Sequence, residues 1–401
     1  MTSAETSTAA KGKKRRPPAV LQVVPRLVSG GVERGTVEIA TALAAAGWKA
    51  VVASEGGPMV REIERAGAIH VTLPLASKNP LVMHANIGRL AKVIRDHGID
   101  IVHARSRAPA WSAWAACRRT GVHFVTTFHN AYGAENAVKR LYNSVMARGE
   151  LVIAISDFVA EHVASVYGVP RERIRVVHRG VDIKRFDPDK VRAERIIKLM
   201  EEWRLPDGMP VVMLPGRLSR WKGHLVLIEA MVHLNRPTVQ CLLVGSGSPS
   251  YRKAIAEAVT HAHAPGNFRL LENCTDMAAA YKLADVVISP STEPEGFGRV
   301  IVEAQAMGRP VIATAHGGAV ETVLDKKTGW LVPPGDSEAL AEAIARALDL
   351  APEERRAMAA RAIEHIRKDF TSETMAARTL AVYEKLLRDA RGARARGSVA
   401  A

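Results

Sequence analysis

The stretch PVVMLPGRLSRWKGHLVLIEAM, residues 210–231, decides the fold. An apolar run ends at Pro215, a Gly-containing basic loop follows, and a helical pattern starts at His224. Residues 19–47 have the same plan: the strand AVLQVV, the loop PRLVSGGVERG, then the helix TVEIATALAAAG. Short β-branched runs alternate with helical patterns around both units. Examples are AVVAS at 50–54, IDIVHA at 99–104, HFVTTF at 123–128, LVIAIS at 151–156, CLLVG at 241–245, the strand at 268–272, ADVVISP at 284–290 and PVIATA at 310–315. Continuous apolar strands separated by helices imply parallel sheets covered on both faces. Two such series imply two doubly wound α/β domains.

The alternation breaks at GVDIKRFDPDKVRAERIIKLMEEWRLPDGMP, residues 180–210. The expected division is a basic tail at 1–18, an N-terminal domain at 19–190 and a C-terminal domain at 191–371. A helix at 372–390 and a second basic tail at 391–401 follow. A chain of 401 residues is too long for one ordinary core, and 47% hydrophobic residues exclude a disordered protein. No apolar run reaches the length of a membrane span, and AVLQVV is too brief for a signal peptide. Cys117, Cys241 and Cys274 are scattered and form no CxxC pair, so a reducing cytoplasm is the expected compartment.

About half of the net charge of +15 comes from the two tails, +4 in residues 1–16 and +3 in residues 386–401. These Gly/Ala-rich tails are expected to be flexible and to attract any polyanion, with no specific nucleic acid implied.

The chemistry points to STEPEGFGRVIVEAQAMG, residues 291–308. Open parallel sheets bind ligands where loops leave the carboxyl ends of strands, and the loop after ADVVISP carries Glu295 out of such an end. Gly296 and Gly298 allow close backbone approach, and the N–H groups from Phe297 to Val300 form an anion site at a helix start. Glu303 lies one turn after Arg299 and Val300 in an apolar helix. A buried carboxylate there needs a partner: a salt bridge to a nearby cation, or the hydroxyls of a ligand.

The segment EGFGRVIVEAQAMGRPVIAT resembles the E-x7-E signature of retaining nucleotide-sugar glycosyltransferases of family 4, which have the GT-B fold of two Rossmann-like domains facing a cleft. The likeness extends to GGVERG, HFVTTFHN, GVDIKRF and PGRLSRWKG, and so over nearly the whole chain. It implies that Glu303 binds ribose hydroxyls, and that Glu295 with the backbone of Gly296, Phe297 and Gly298 holds the donor sugar. Arg217 and Lys222 would bind the diphosphate, Gly31 would line it from the other domain, and His129 would sit by the sugar. The implied reaction passes a sugar from a nucleoside-diphosphate donor to an acceptor hydroxyl with retention, through an oxocarbenium-like state.

The residues agree with that assignment. Arg217 and Lys222 stand at a strand's carboxyl end beside a helix start, where fixed cations stabilise a diphosphate leaving group. His129 follows a strand in the same way, and is read as a hydrogen-bonding group and not as a general base. GGVERG does not fit G-x-G-x-x-G, although Glu55 stands about where a nicotinamide site would have its ribose acid. No HExxH spacing and no DxD-type cluster suited to Mg²⁺ is read, so neither a metal nor another cofactor is expected.

His103, Arg105, Arg107, Trp111, Trp114, Arg118 and Arg119 read as a solvated face with packed tryptophans, or as an acceptor or membrane-facing surface. In ENAVKRLYNSVMARG, residues 135–149, Val138, Leu141, Tyr142 and Val145 share a helical stripe beside Lys139, Arg140 and Arg148, a pattern that can lie on anionic lipid.

Three positions depart from the resembled pattern: Arg299, Gln305 and the Arg179 of HRGVD. Arg179 and Arg299 facing the cleft would suit an acidic donor sugar or acceptor, whereas Arg299 paired with Glu303 would weaken the ribose role. The expected acceptor is a cell-envelope glycan or glycolipid, such as a lipopolysaccharide core precursor, at the inner face of the cytoplasmic membrane. The rivals are a nucleotide-sugar epimerase or hydrolase on the same fold and a non-catalytic polyanion-binding protein.

Overall fold

Every strand pairing in the two sheets of the computed structural model is parallel, as the continuous apolar runs require. The structure describes residues 16–28, 30–262 and 265–399. The N-terminal sheet holds β1 (Ala19–Val23), β2 (Lys49–Ser54), β3 (Ile69–Thr72), β4 (Ile101–Ala104), β5 (His123–Phe128), β6 (Leu151–Ala154) and β7 (Ile174–Val176), in the order β3-β2-β1-β4-β5-β6-β7. The C-terminal sheet holds β8 (Val211–Pro215), β9 (Gln240–Val244), β10 (Phe268–Leu271), β11 (Val286–Ser289), β12 (Val311–Thr314) and β13 (Gly329–Val332), in the order β10-β9-β8-β11-β12-β13. In both, the order reverses beside the first strand of the domain, β1 or β8. That is where doubly wound sheets open a crevice at the carboxyl ends of their strands.

Three helices place the site: α1 (Gly31–Ala45) after β1, α2 (Arg299–Ala306) after β11, and α3 (Ser372–Val399) at the end of the chain. α1 begins five residues earlier than the sequence pattern indicates, so Gly31–Gly35 is its first turn and not loop. Gly30 takes φ 131° as its cap, Arg34 N–H closes the first bond onto Gly30 O at 3.0 Å, and Glu33 complements the helix dipole there.

α3 runs past residue 390 to Val399, because alanine and arginine propagate a helix as well as they form a tail. It returns to the N-terminal domain and packs along α1. Its buried Tyr383 Oη sits 2.6 Å from His103 Nδ1, and His103 Nε2 lies 2.6 Å from Thr127 Oγ1. At the crossing, Val181 N–H donates to Phe370 O and Ser372 N–H to Val181 O, each at 2.9 Å. A methyl group on Gly180 would collide with Thr371 O, so only glycine allows the two segments to lie this close. Arg16, at the end of the expected N-terminal tail, is held by Asp100 at 2.7 and 3.0 Å; the rest of that tail up to residue 15 lies outside the described residues.

Candidate functional site

The C-terminal half of the site is the loop between β11 and α2. Glu295 Oε1 accepts from Lys222 Nζ and from Ser291 Oγ, both at 2.5 Å. Lys222 arrives on the short turn Arg220–Lys222 that follows β8, so two neighbouring strands supply the pair. Gly298, at φ 83°, turns the chain into α2 in a conformation that glycine alone adopts freely. The first returning bond of α2 runs from Ile301 N–H to Gly298 O at 3.0 Å, which leaves the preceding amides without intrahelical partners. Phe297 is buried against His178 and Phe370, and Val300 is half-buried in the first turn. Arg217 is exposed and bonds to none of the described residues.

Glu303 has two partners. Tyr281 Oη donates to Oε2 at 2.9 Å, and Arg299 Nη2 lies 3.4 Å from Oε1. Burial and the Glu303 charge push the Tyr281 phenol well up, so it stays a donor. The helical pairing with Arg299 therefore forms, and any ligand hydroxyl placed here would compete with a guanidinium for this carboxylate.

The N-terminal half is built around Arg179, in the segment after β7. Its guanidinium donates from Nη1 to Gly31 O and from Nη2 to His129 Nδ1, the latter at 2.8 Å. His129 stands at the carboxyl end of β5, and its imidazole is pushed well below the usual histidine range by burial, then by Arg179, Arg105 and His103. Burial, Arg299 and Arg105 push the Arg179 guanidinium down to about 9, and it stays protonated at neutral pH. Glu38 of α1 faces Arg299, Arg179, Arg34 and Arg105; burial raises its carboxyl against their pull. Arg299 is paired with Glu303 and Arg34 with Glu62, so Glu38 faces both Arg105 and Arg179, and Glu33 also acts on Arg105.

The halves meet closely. A methyl on Gly296 would stand 3.1 Å from both Asn130 Cα and His129 O. A methyl on Gly31 would stand 3.3 Å from Arg179 Nη1 and 3.4 Å from Arg299 Cδ. On one flank of the cleft Glu321 bridges the domains. Its carboxylate accepts from Asp157 N–H, Phe158 N–H and His178 Nε2, each at 2.8 Å. Asp157, His178 and Glu321 also bring possible metal-ligand atoms within 4.8 Å of one another, but the Glu321 oxygens already accept these bonds. A groove of about 670 Å³ opens beside Arg299, between α1 and residues 182–186, of the size small-molecule sites have.

Gly31, His129, Lys222, Glu295, Gly296, Arg299 and Glu303 thus gather about one cleft, with Arg217 exposed on the loop after β8. Two sequence readings change. His103 and Arg105 are buried, Arg105 only 4% exposed, because β4 is a central strand whose end feeds the cleft and not a solvated face. Val145 is buried while Val138 and Leu141 are exposed, so the apolar stripe is split between core and surface. Trp111 and Trp114 do pack, with Arg148 over both rings. Glu55 is engaged by Arg26 at 2.9 Å and by Ala76 N–H at 3.2 Å. Sequence reading missed Ser291, Tyr281, Glu38 and Glu321; of these only Ser291, in the Glu295 loop itself, carries a local signal.

Residues 29–185 match the profile of Glycosyltransferase Family 4, and residues 163–365 that of Glycosyl transferases group 1. The D-inositol 3-phosphate glycosyltransferase of Xylanimonas cellulosilytica is 33% identical over 307 residues, 71% of this chain and 71% of that protein. The crystal structure of a glycosyltransferase from Rickettsia africae superposes with a TM-score of 0.86 at 38% identity, covering 93% of this chain and 99% of that one. HepE from Anabaena, solved with UDP-glucose, has a TM-score of 0.80 at 24% identity over 92% of this chain and 99% of its own, a likeness of fold alone.

Proposed function

This chain belongs to glycosyltransferase family 4, among the group 1 glycosyltransferases, and from that premise we propose that it moves a sugar from a nucleoside diphosphate to an acceptor hydroxyl with retention. The observation that carries the reading is the contact at Gly296, which brings the Glu295–Gly298 loop of one domain against His129 and Asn130 of the other. A donor between them would have its sugar beside Glu295 and His129. Its diphosphate would lie at Lys222, Arg217, the α2 amides and Gly31, and its ribose at Glu303.

The bond from the anomeric carbon to the β-phosphate oxygen breaks, and that oxygen takes up the electron pair. Lys222 and Arg217 stabilise the charge as it grows, which lowers the barrier more than it tightens substrate binding. The acceptor oxygen bonds to the same face of the sugar, and its proton passes to the departing phosphate. Lys222 must leave Glu295 for this, which frees the carboxylate for sugar hydroxyls. Arg and Lys neutralise the diphosphate, so the reaction needs no metal or other cofactor. Domain closure limits hydrolysis of the donor.

Uridine is the first base to test, because HepE shares the fold and is solved with UDP-glucose. The acceptor proposed is a cell-envelope glycan or glycolipid at the inner, cytoplasmic face of the membrane. Among the described residues no helix is long and apolar enough to cross a membrane. Val138 and Leu141, 79% and 62% exposed beside Lys139, Arg140 and Arg148, would instead meet anionic lipid peripherally. A phosphorylated polyol acceptor is the second reading. It is favoured by the cluster of Arg105, Arg179 and Arg299 at the cleft and by the relative named for D-inositol 3-phosphate.

Calorimetry with UDP, GDP and ADP on the wild type and Glu303→Ala tests the donor site, followed by transfer assays in EDTA with both acceptor classes. One nucleotide bound tightly and lost in the variant supports the reading. Donor turnover in every acceptor-free assay, with no transfer, would make it an epimerase or hydrolase. Three flat titrations with salt-dependent polyanion binding would replace it with the polyanion-binding role.

A further inference from the structure

The contacts of Arg179 determine more than the shape of the cleft. The side chain is 7% exposed and spends its two terminal nitrogens on Gly31 O and His129 Nδ1. A guanidinium can only donate. The facing Nδ1 must therefore hold a lone pair, and a neutral imidazole then carries its single proton on Nε2. That nitrogen is buried and finds no partner among the described residues, so a donor is left unsatisfied in a histidine whose backbone O lies beside Gly296.

The surroundings keep the ring neutral. The charged and titratable groups around it come from separate elements: Arg179 after β7, Arg105 after β4, and His103 on β4. Tyr132 lies on the loop after β5, and its Oη accepts the His129 backbone N–H at 3.3 Å. None of these groups is an anion at neutral pH, and the Glu38 carboxylate of α1 faces Arg179 and Arg105.

We propose that Arg179 is a positioning residue that fixes the His129 proton on Nε2, making this histidine an obligate hydrogen-bond donor to the substrate while tying the Gly31 turn to the same guanidinium. The inference rests on the transfer reading only for what receives the bond: a sugar hydroxyl or a phosphate oxygen. The position of the proton does not depend on it. A His129 held this way has no bare Nε2 with which to act as a base.

The test uses the full chain labelled with ¹⁵N. Long-range imidazole spectra of the wild type are assigned with His129→Gln and compared with Arg179→Met and Arg179→Lys, with kcat and donor KM measured in parallel. The expected wild-type signal has an unprotonated Nδ1 and a protonated Nε2 across the neutral range. Arg179→Met, which cannot donate, should give a mixed tautomer and a ring that titrates at higher pH. It should also lower kcat by about a hundredfold with little change in donor KM. Arg179→Lys should restore the tautomer and part of kcat.

A proton on Nδ1 in the wild type would overturn the proposal by itself, whether or not the variants fold. So would an Arg179→Met protein with unchanged tautomer, titration and kcat. A chain inactive with every donor, but with the tautomer present in wild type and lost in Arg179→Met, would sink the transfer reading and leave the positioning role standing.

Discussion

Lys222 Nζ lies 2.5 Å from Glu295 Oε1 across 73 positions of sequence, so the cation assigned to the diphosphate and the carboxylate assigned to the sugar neutralise each other. Each side chain is 15% exposed, which makes an unpaired charge here costly and a mutual partner a good resting arrangement. On the proposed reading, donor binding would exchange partners and leave neither charge bare. Lys222→Ala and Glu295→Gln should each lower kcat/KM by roughly 10²–10³. The double variant should lose far less than the product of the two, because the residues act as one unit. Steady-state kinetics on the four proteins decides it, and simple additivity would separate the two roles.

Glu303→Ala should weaken binding of the nucleoside diphosphate by roughly tenfold to a hundredfold, the worth of hydrogen bonds to a charged group. The same loss should appear in the wild type when the nucleotide lacks its ribose hydroxyls. If the deoxynucleotide loses affinity equally in both proteins, Glu303 does not contact the ribose and serves Arg299 and Tyr281 alone.

Glu321 links closure of the cleft to pH. Burial alone would raise its carboxyl, but the bonds from His178, Phe158 N–H and Asp157 N–H outweigh it and hold the group below the usual carboxylate range. A depressed folded-state value contributes stability that is complete above the unfolded pKa and lost as pH falls through the folded one. The closed arrangement should therefore be steady near neutrality and loosen in acid, below the ordinary glutamate value. Small-angle scattering across that range should show an acid expansion in the wild type, and Glu321→Gln should already be expanded at neutral pH.

Gly296→Ala tests the contact that joins the halves of the site. The added methyl would press on backbone atoms of His129 and Asn130, which cannot yield as a flexible side chain would. The melting temperature should change little, because each domain keeps its core, while kcat falls at least about tenfold as closure is blocked. Scattering and kinetics on the same sample separate this from a folding defect.

Tyr383→Phe removes one of the two partners of the buried His103 and should destabilise the protein by about 1–3 kcal/mol. Chemical denaturation followed in the N-terminal domain should report the loss, although the substitution lies near the end of the chain.

The sheets were legible in the sequence where strands are buried on both faces. HFVTTF was read to the residue, because a central strand leaves a continuous apolar run. β3, β7 and β13 were missed, and each lies at a sheet edge: Ile69–Thr72 has two exposed and two half-buried residues and so a broken pattern, whereas Gly329–Val332 is mostly buried but only four residues long and opens on glycine. The site was legible as far as one segment contained it. Glu295 and Glu303 share a strand-loop-helix unit whose geometry is local. Their setting was not: Tyr281 stands 22 positions from Glu303, His178 143 from Glu321, and Arg179 148 from Gly31. Such pairings come from the packing of the domains, and no local periodicity encodes them.

The crossing at Val181 and Thr371 limits how the cleft can move. A single linker would let one domain swivel and tilt in any direction relative to the other. Here two segments run side by side and are bonded to each other, with Gly180 drawn tight against Thr371. A paired strap resists twist and bends mainly about the line across its width, as a door turns on two hinge leaves. The Glu295 loop can then approach His129 along little more than one arc, so that each closure returns the same atoms to the same register.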